Sequence, residues 1–277
     1  MALSLQTNVA SIGAQNNLRS TQRMLDQSIA RLSSGLRVRS ARDDAAGLAV
    51  SENLRAQLKG YNQAIRNAND GVSMAQTAEG AHQAVSDILV RMRELAVQAS
   101  SDGIGDSERA YLNTEFTSLY TEINRIANVT EFNGIKLTDG TDSTLSFQIG
   151  TRNSANDQIT LSLFDLTSAG SVTGSLFAQT ISAQANAFSA ISVIDTVLNS
   201  LNDSRAKLGS VANQLTVAIE NLGVTIENLS AANSQIRDSD VAQESANFAR
   251  AAVLQQAGVS MLAQANAQPN LALRLLG

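Results

Sequence analysis

The chain has 277 residues, a formal net charge of −5, no cysteine, no tryptophan, one proline and one histidine. The missing cysteines exclude a disulfide framework, thiolate catalysis and zinc–thiolate sites, and the mild negative charge leaves no electrostatic footprint for nucleic acid. With aromatics at 4% and abundant alanine, the composition suits long helices packed closely along their length.

The first stretch, MALSLQTNVASIGAQNN, carries no formal charge as far as Leu18. It has no basic region ahead of an apolar one, so no cleavable secretory signal is expected. Residues 19–42 then hold six arginines (Arg19, Arg23, Arg31, Arg37, Arg39, Arg42) against one acid, Asp26. That composition also fits a mitochondrial transit peptide, although removing such a segment would leave the apolar C-terminus without a counterpart.

Between Leu54 and Ala96 the small or apolar positions step by four and three: Leu54, Leu58, Tyr61, Ile65, Ala68, Val72, Ala75, then Ala78, His82, Val85, Leu89, Met92 and Ala96. A stutter separates Ala75 from Ala78. This spacing lays the residues along one seam, as in a coiled coil, and predicts a helix over about 43–100, roughly 87 Å long at 1.5 Å per residue. Asp43 and Asp44 stand where a cap and a first-turn acid favour a helix start, and SSDGIGD ends the pattern with glycines and small polar residues. Residues 107–129 read as a shorter amphipathic helix with Leu112, Phe116, Leu119, Ile123 and Ile126 on one face.

Residues 133–165 change period. Leu145, Phe147 and Ile149, then Ile159, Leu161 and Leu163, alternate with polar residues among Asp-Gly and Asn-rich turns, which predicts one or two β-hairpins. TSAGSVTGS follows as a small-residue connection. A second long seam then runs through Ile194, Leu198, Leu201, Arg205, Leu208, Ala212, Leu215, Ile219, Leu222, Ile226, Leu229, Asn233 and Ile236, with Arg205 and Asn233 as polar interruptions that fix register in such helices. From Ala251 to Leu273 no charged residue or histidine occurs.

The expected fold is therefore mainly α. It is a long antiparallel coiled-coil or helix-bundle rod with a small β-hairpin region in mid-chain. Residues 1–42 and 234–277 form the two parts of an inner coiled-coil domain, and residues 43–233 form a rod with the hairpins at about 133–177. The order of elements is nearly symmetric, so both ends return to the same end of the molecule. Val9, Ile12, Leu25, Ile29 and Leu32 at one end, and Val253, Ala257, Met261 and Ala265 at the other, supply the apolar faces expected to assemble. Short isolated helices are marginal in water, and pairing two leaves much of each surface wet. Amides and hydroxyls in place of charges make those surfaces buriable among many copies, so the ends are expected to fold on assembly. Floppy tails would not carry helical apolar periodicity. A membrane-active helix would need a Lys/Arg-rich face, which the C-terminal segment lacks; nor does any apolar run approach the roughly 20 residues of a membrane span, so no membrane insertion is expected.

SSGLRVRSARDDAAGLAVSENLRAQ (Ser33 to Gln57) resembles bacterial flagellin. The resemblance recurs at NANDGVSMAQTAEGA (Asn67 to Ala81), VRMRELAVQAS (Val90 to Ser100), EFNGIKL (Glu131 to Leu137) and the segment from Ser234 to Leu276. It covers about residues 1–165 and 180–277. It implies an extracellular subunit, exported unfolded through the flagellar type III pathway and polymerised into the filament for motility. The partners implied are other copies of the chain, filament cap and hook-associated proteins, and an export chaperone. The family's outer section is nearly missing, which marks a short form with inner and wall domains. The resemblance also implies recognition of the monomer by the animal Toll-like receptor for flagellin, at Arg91, Leu95 and Glu115. Val90 and Met92 depart from the commonest motif there.

No enzyme is expected. A zincin needs two histidines at helical spacing with a glutamate between, and His82 stands alone in EGAHQAV as a packed or hydrogen-bonded helix residue. Asp43 and Asp44 read as capping groups before a metal pair, and Asp139, Asp142 and Asp157 sit among turn residues where Asp is common. No P-loop, nucleophile elbow or Gly-rich phosphate pattern occurs, so no metal or cofactor is expected. The neighbouring readings are a hook–filament junction protein with similar ends and a secreted membrane-inserting helical effector.

Overall fold

The computed structural model describes residues 7–167, 170 and 173–276. Met1–Gln6 of the charge-free start, and part of the TSAGSVTGS connection, lie outside the described residues. The fold is mainly α: helices α1 (Val9–Ser34), α2 (Ala45–Ala99), α3 (Asp106–Val129), α4 (Gly174–Phe177), α5 (Gln184–Arg237) and α6 (Val241–Leu276). Between α3 and α4 lie strands β1 (Glu131–Phe132), β2 (Ile135–Lys136), β3 (Thr144–Gln148) and β4 (Gln158–Ser162). The chain divides into two compact units, Met1–Ala56 with Asn228–Gly277, and Gln57–Glu227. Both divisions fall inside long helices, not in loops.

In the first unit, α1 and α6 pack together and the segment after α1 is tied to the end of α5. Gly35 ends α1 in the left-handed conformation, φ 70°, and its N–H donates to the Arg31 carbonyl at 2.8 Å, the αL closure that glycine adopts without a Cβ penalty. Leu36 bridges Asp238, Arg37 N–H donates to the Arg237 carbonyl at 2.7 Å and Ser239 N–H to the Gly35 carbonyl at 2.9 Å. The Ser51 hydroxyl, on α2, donates to Asn233 Oδ1 on α5 at 2.7 Å. The polar interruption at Asn233 is thus a satisfied seam contact. The two acids expected at the start of α2 divide their work. Asp44 caps, accepting from Gly47 N–H at 2.8 Å. Asp43 closes the preceding loop instead, accepting from the backbone N–H groups of Ser40 at 3.0 Å and Arg39 at 3.2 Å. Those donors hold its carboxyl below the usual range because they favour the charged form.

In the second unit, α2, α3 and α5 share one core. Val85, Leu89, Met92, Leu95 and Ala96 of α2, Phe116 and Ile123 of α3, and Ile194, Val197 and Leu201 of α5 are all buried in it. The three-helix arrangement follows from the seams: each side chain of this size contributes roughly 1.5–3 kcal/mol on burial, and no two of the helices alone would cover all three faces. A second cluster joins Met74, Ala75 and Ala78 of α2 and Leu208 of α5 to Leu137 and Leu161 from the β region. The hairpins begin slightly before the predicted region. Asn133 and Gly134, φ 50° and 79°, turn β1 into β2, with positive φ at both central residues as a two-residue hairpin turn requires. β3 pairs antiparallel with β4 in the register Leu145↔Leu161 and Phe147↔Ile159, which puts the alternating apolar residues on one face. Gly71 permits this packing: a Cβ there would come within 3.0 Å of Leu215 Cδ1 and 3.1 Å of Phe147 Cγ.

Candidate assembly and recognition surfaces

The α1–α6 seam is a heptad, but not the one expected. Ser11, Ala14, Leu18, Thr21, Leu25, Ser28 and Leu32 are the buried or half-buried residues that step by three and four along α1. Against them α6 sets Glu244, Asn247, Ala251, Gln255, Gly258, Leu262 and Ala265. The pairing is antiparallel and largely polar or small. Asn8 Nδ2 donates to the Ala265 carbonyl at 2.8 Å, Ser11 Oγ to Asn266 Oδ1 at 2.7 Å, and Gln255 Nε2 to Gln22 Oε1 at 2.6 Å. Arg31 approaches the buried carboxylate of Glu244 at 3.6 Å.

Of the nine residues expected to carry assembly, Leu25 and Ala265 are buried between the two helices and Leu32 is half-buried. Val9, Ile12, Ile29, Val253, Ala257 and Met261 face outward and are exposed. Met24, Phe248, Leu254 and Val259 join them on the outside of the pair. The apolar side chains of the ends are therefore largely left over once α1 and α6 have met. Isolated exposed aliphatics are ordinary, whereas many on two adjoining helices mark a surface that another molecule covers.

In the second unit, Arg91 reaches across from α2 to Glu115 of α3, at 2.9 Å, and also to Glu94 of its own helix at 2.9 Å. Both Arg91 and Glu115 are solvent-exposed. Leu95 is not: at 1% exposure it belongs to the shared core, so its side chain presents nothing to a partner in this fold. Of the two departures from the family motif, Met92 is also core and only Val90 is at the surface. Val97 and Tyr111 are further exposed side chains of α2 and α3.

One polar site escaped the sequence, and a second, His82, is packed on the seam as its spacing implied. Arg109 on α3 is buried and donates from Nε to the Ala99 carbonyl at 2.9 Å and from Nη2 to the Ser101 carbonyl at 3.0 Å. A cation there satisfies the free carbonyls and the negative dipole at the end of α2. Its only sequence signal is an arginine soon after a helix stop. His82 is 1% exposed, neither ring nitrogen has a hydrogen-bond partner, and its ring stands edge-on to Phe164, centroids 6.2 Å apart. Burial, and then the Arg205 charge, pull its pKa down to about 4. Arg205 itself meets Glu79 at 3.6 Å. This histidine is packed, neutral and unavailable for catalysis. Among the described residues no three His, Cys, Asp or Glu side chains gather to hold a metal ion, and no helix is long and apolar enough to cross a membrane.

Two long helices with polar-interrupted seams, a third helix closing their core, and charge-poor ends that pair together define a helix-built protein with exposed apolar side chains along its paired ends. Comparison with known proteins names the class. The family model of the bacterial flagellin N-terminal helical region matches residues 5–143, and that of the C-terminal helical region matches residues 191–276. The chain belongs to the bacterial flagellin family and is a structural filament protein, not an enzyme. It is 44% identical to a flagellin of Halalkalibacterium halodurans over 269 residues, 97% of this chain and 98% of that one. It is 40% identical to a flagellin of Bacillus subtilis over 300 residues, 97% of this chain and 98% of that one. The crystal structure of Bacillus cereus flagellin is 31% identical with a TM-score of 0.51, covering 61% of this chain and 94% of that chain. The length of 277 residues fits a short form.

Proposed function

We propose that the subunit polymerises into an extracellular flagellar filament through its paired ends. The observation that carries the reading is the inverted use of α1 and α6: amides, hydroxyls and small residues meet inside the pair, and the aliphatics Val9, Ile12, Ile29, Val253 and Met261 remain outside. Burial of each such side chain against neighbouring copies contributes on the order of 1.5–3 kcal/mol, and the absence of charge from Ala251 to Leu273 lets the surrounding surface enter the contact without stranding an ion. Repeated contacts between unlike surfaces that do not close on themselves produce an open helical polymer. The chain travels unfolded, kept soluble by an export chaperone over its C-terminal segment, and its ends settle on assembly under the filament cap, beyond the hook-associated proteins. The free monomer offers the exposed Arg91–Glu115 pair to the animal Toll-like receptor for flagellin, with Leu95 supporting the helix from beneath.

Seeded elongation tests the reading. Purified monomer is mixed with short filament fragments and followed by pelleting and electron microscopy, beside a chain lacking residues 251–277. The full chain elongates the seeds and the truncated one does not. Equal elongation by both would remove the C-terminal helix from the account. Binding to lipid vesicles without elongation would favour a membrane-active effector instead.

A further inference from the structure

We propose that Met24 and Met261 are sites of sulfoxidation that switch assembly, an inference that rests for its consequence, though not for its chemistry, on the filament reading above. Four methionines lie among the described residues, and they fall into two classes. Met74 and Met92 are 5% and 0% exposed, each inside one of the two hydrophobic clusters. Met24 and Met261 are 48% and 65% exposed. They stand on opposite helices of the terminal pair and border one groove of about 660 Å³ that no charged side chain lines.

A thioether needs no activation to react with a peroxide, so access sets which methionines are oxidised. The sulfur attacks one peroxide oxygen, the O–O bond breaks, an S–O bond forms and water leaves. The sulfur is oxidised by two electrons and the peroxide is reduced by two. A flexible apolar side chain thereby becomes a polar one with a strong acceptor. In free monomer the sulfoxide oxygen is hydrated and costs little. Between copies of the chain the same oxygen must find a donor that the thioether did not need, and the groove offers mainly Leu18, Leu254, Ala10, Ala14, Ala257 and two glycines. Of its three polar side chains the Thr21 hydroxyl is already committed to the Asn17 carbonyl, which leaves the Asn17 amide and the Ser20 hydroxyl in place of bulk water. Oxidation at these two positions therefore leaves the fold intact and blocks the contact. Once assembled, the same contact shields both sulfurs.

The test uses the whole chain and hydrogen peroxide. Peptide mass spectrometry follows sulfoxide formation at each methionine in monomer and in preformed filaments. Met24 and Met261 are expected to oxidise at least about tenfold faster than Met74 and Met92 in monomer, and to slow by a similar factor in filaments. Oxidised monomer with an unchanged helical circular dichroism spectrum should elongate seeds about tenfold more slowly. Treatment with methionine sulfoxide reductases of both epimer specificities should restore the rate, and the double variant Met24→Leu/Met261→Leu should elongate at the same rate after peroxide as before it, whatever that rate is. Equal oxidation of all four methionines, or undiminished elongation by oxidised monomer, would overturn the proposal. Failure of the untreated chain to elongate overturns the filament reading and the switch with it, and leaves the oxidation map to decide the sites themselves.

Discussion

Asn8 joins the two ends of the chain with one side chain. Its Oδ1 accepts from Ser11 N–H at 3.0 Å and caps α1, and its Nδ2 donates to the Ala265 carbonyl of α6 at 2.8 Å. The two bonds are separable by substitution. Asn8→Ser keeps a capping oxygen and loses the link to α6, whereas Asn8→Ala loses both. Each is worth about 1 kcal/mol, or roughly a fivefold change in an opening equilibrium. In assembled filaments, where the ends have settled, amide hydrogen exchange at the start of α1 is expected to accelerate about fivefold in Asn8→Ser and about 25-fold in Asn8→Ala. Exchange in Asn8→Ser equal to that of the natural chain would assign no weight to the link, and identical exchange in the two variants would assign none to the cap.

His82 makes the second unit acid-sensitive. A histidine with an ordinary pKa near 6.5 in the unfolded chain and about 4 when folded binds more protons unfolded between those values, so stability falls as pH drops through that window and levels off below it. The groups that face it are Arg205 of α5, which opposes protonation, the Glu79 carboxylate on Arg205, and the apolar edge of Phe164. The full window corresponds to about 3 kcal/mol. Urea midpoints measured from pH 7 to pH 4 should fall for the natural chain and change distinctly less for His82→Leu, which keeps the seam apolar. Parallel curves for the two would place the acid sensitivity elsewhere.

Arg109 holds the turn between α2 and α3. Arg109→Ala strands the Ala99 carbonyl beneath α3 and leaves the Ser101 carbonyl to Ile104 N–H and solvent, and a buried acceptor left without its charged donor costs about 1–3 kcal/mol. Arg109→Lys recovers only part, since one ammonium cannot reproduce the planar fork that spans both carbonyls. Urea midpoints in the order natural, Lys, Ala would bear this out, and a Lys variant as weak as Ala would show that the fork geometry is everything.

Arg91 and Glu115 are predicted to matter little for folding. Exposed ion pairs contribute about 0–1 kcal/mol, so Arg91→Ala and Glu115→Ala should unfold close to the natural chain while receptor signalling by the monomer drops at least about tenfold, as expected for an arginine at the centre of a contact. Leu95→Ala should cost about 2–5 kcal/mol through the cavity it opens, and Leu95→Met should restore both stability and signalling. A signalling loss in Leu95→Met without a stability loss would mean that Leu95 touches the receptor directly.

Much of this architecture was legible because long helices write their packing at regular intervals. The four-three steps from Leu54 to Ala96 and from Ile194 to Ile236 predicted α2 and α5, and the period-two runs around Phe147 and Leu161 predicted the β3–β4 hairpin with the observed facing. The phase of the terminal helices was harder. Ala14, Leu18, Leu25 and Leu32 already spell the inner seam, but Ile12 and Ile29 are more hydrophobic than Ser11 and Ser28, and a reading by hydrophobicity moves the seam one residue over.

The sequence by itself determined where the long helices run, that the middle of the chain holds β-hairpins, the family, and the charge-free character of the ends, because each of these is set by local spacing and side-chain chemistry. Only the tertiary structure decided that serines and amides face inward between α1 and α6 while valines and isoleucines face out, that Leu95 is core while Arg91 and Glu115 are surface, and that Arg109 closes a helix end ten residues before it. Those outcomes depend on which groups meet across distances of 10 to 257 residues along the chain, and on hydrogen bonds whose partners only folding brings within reach.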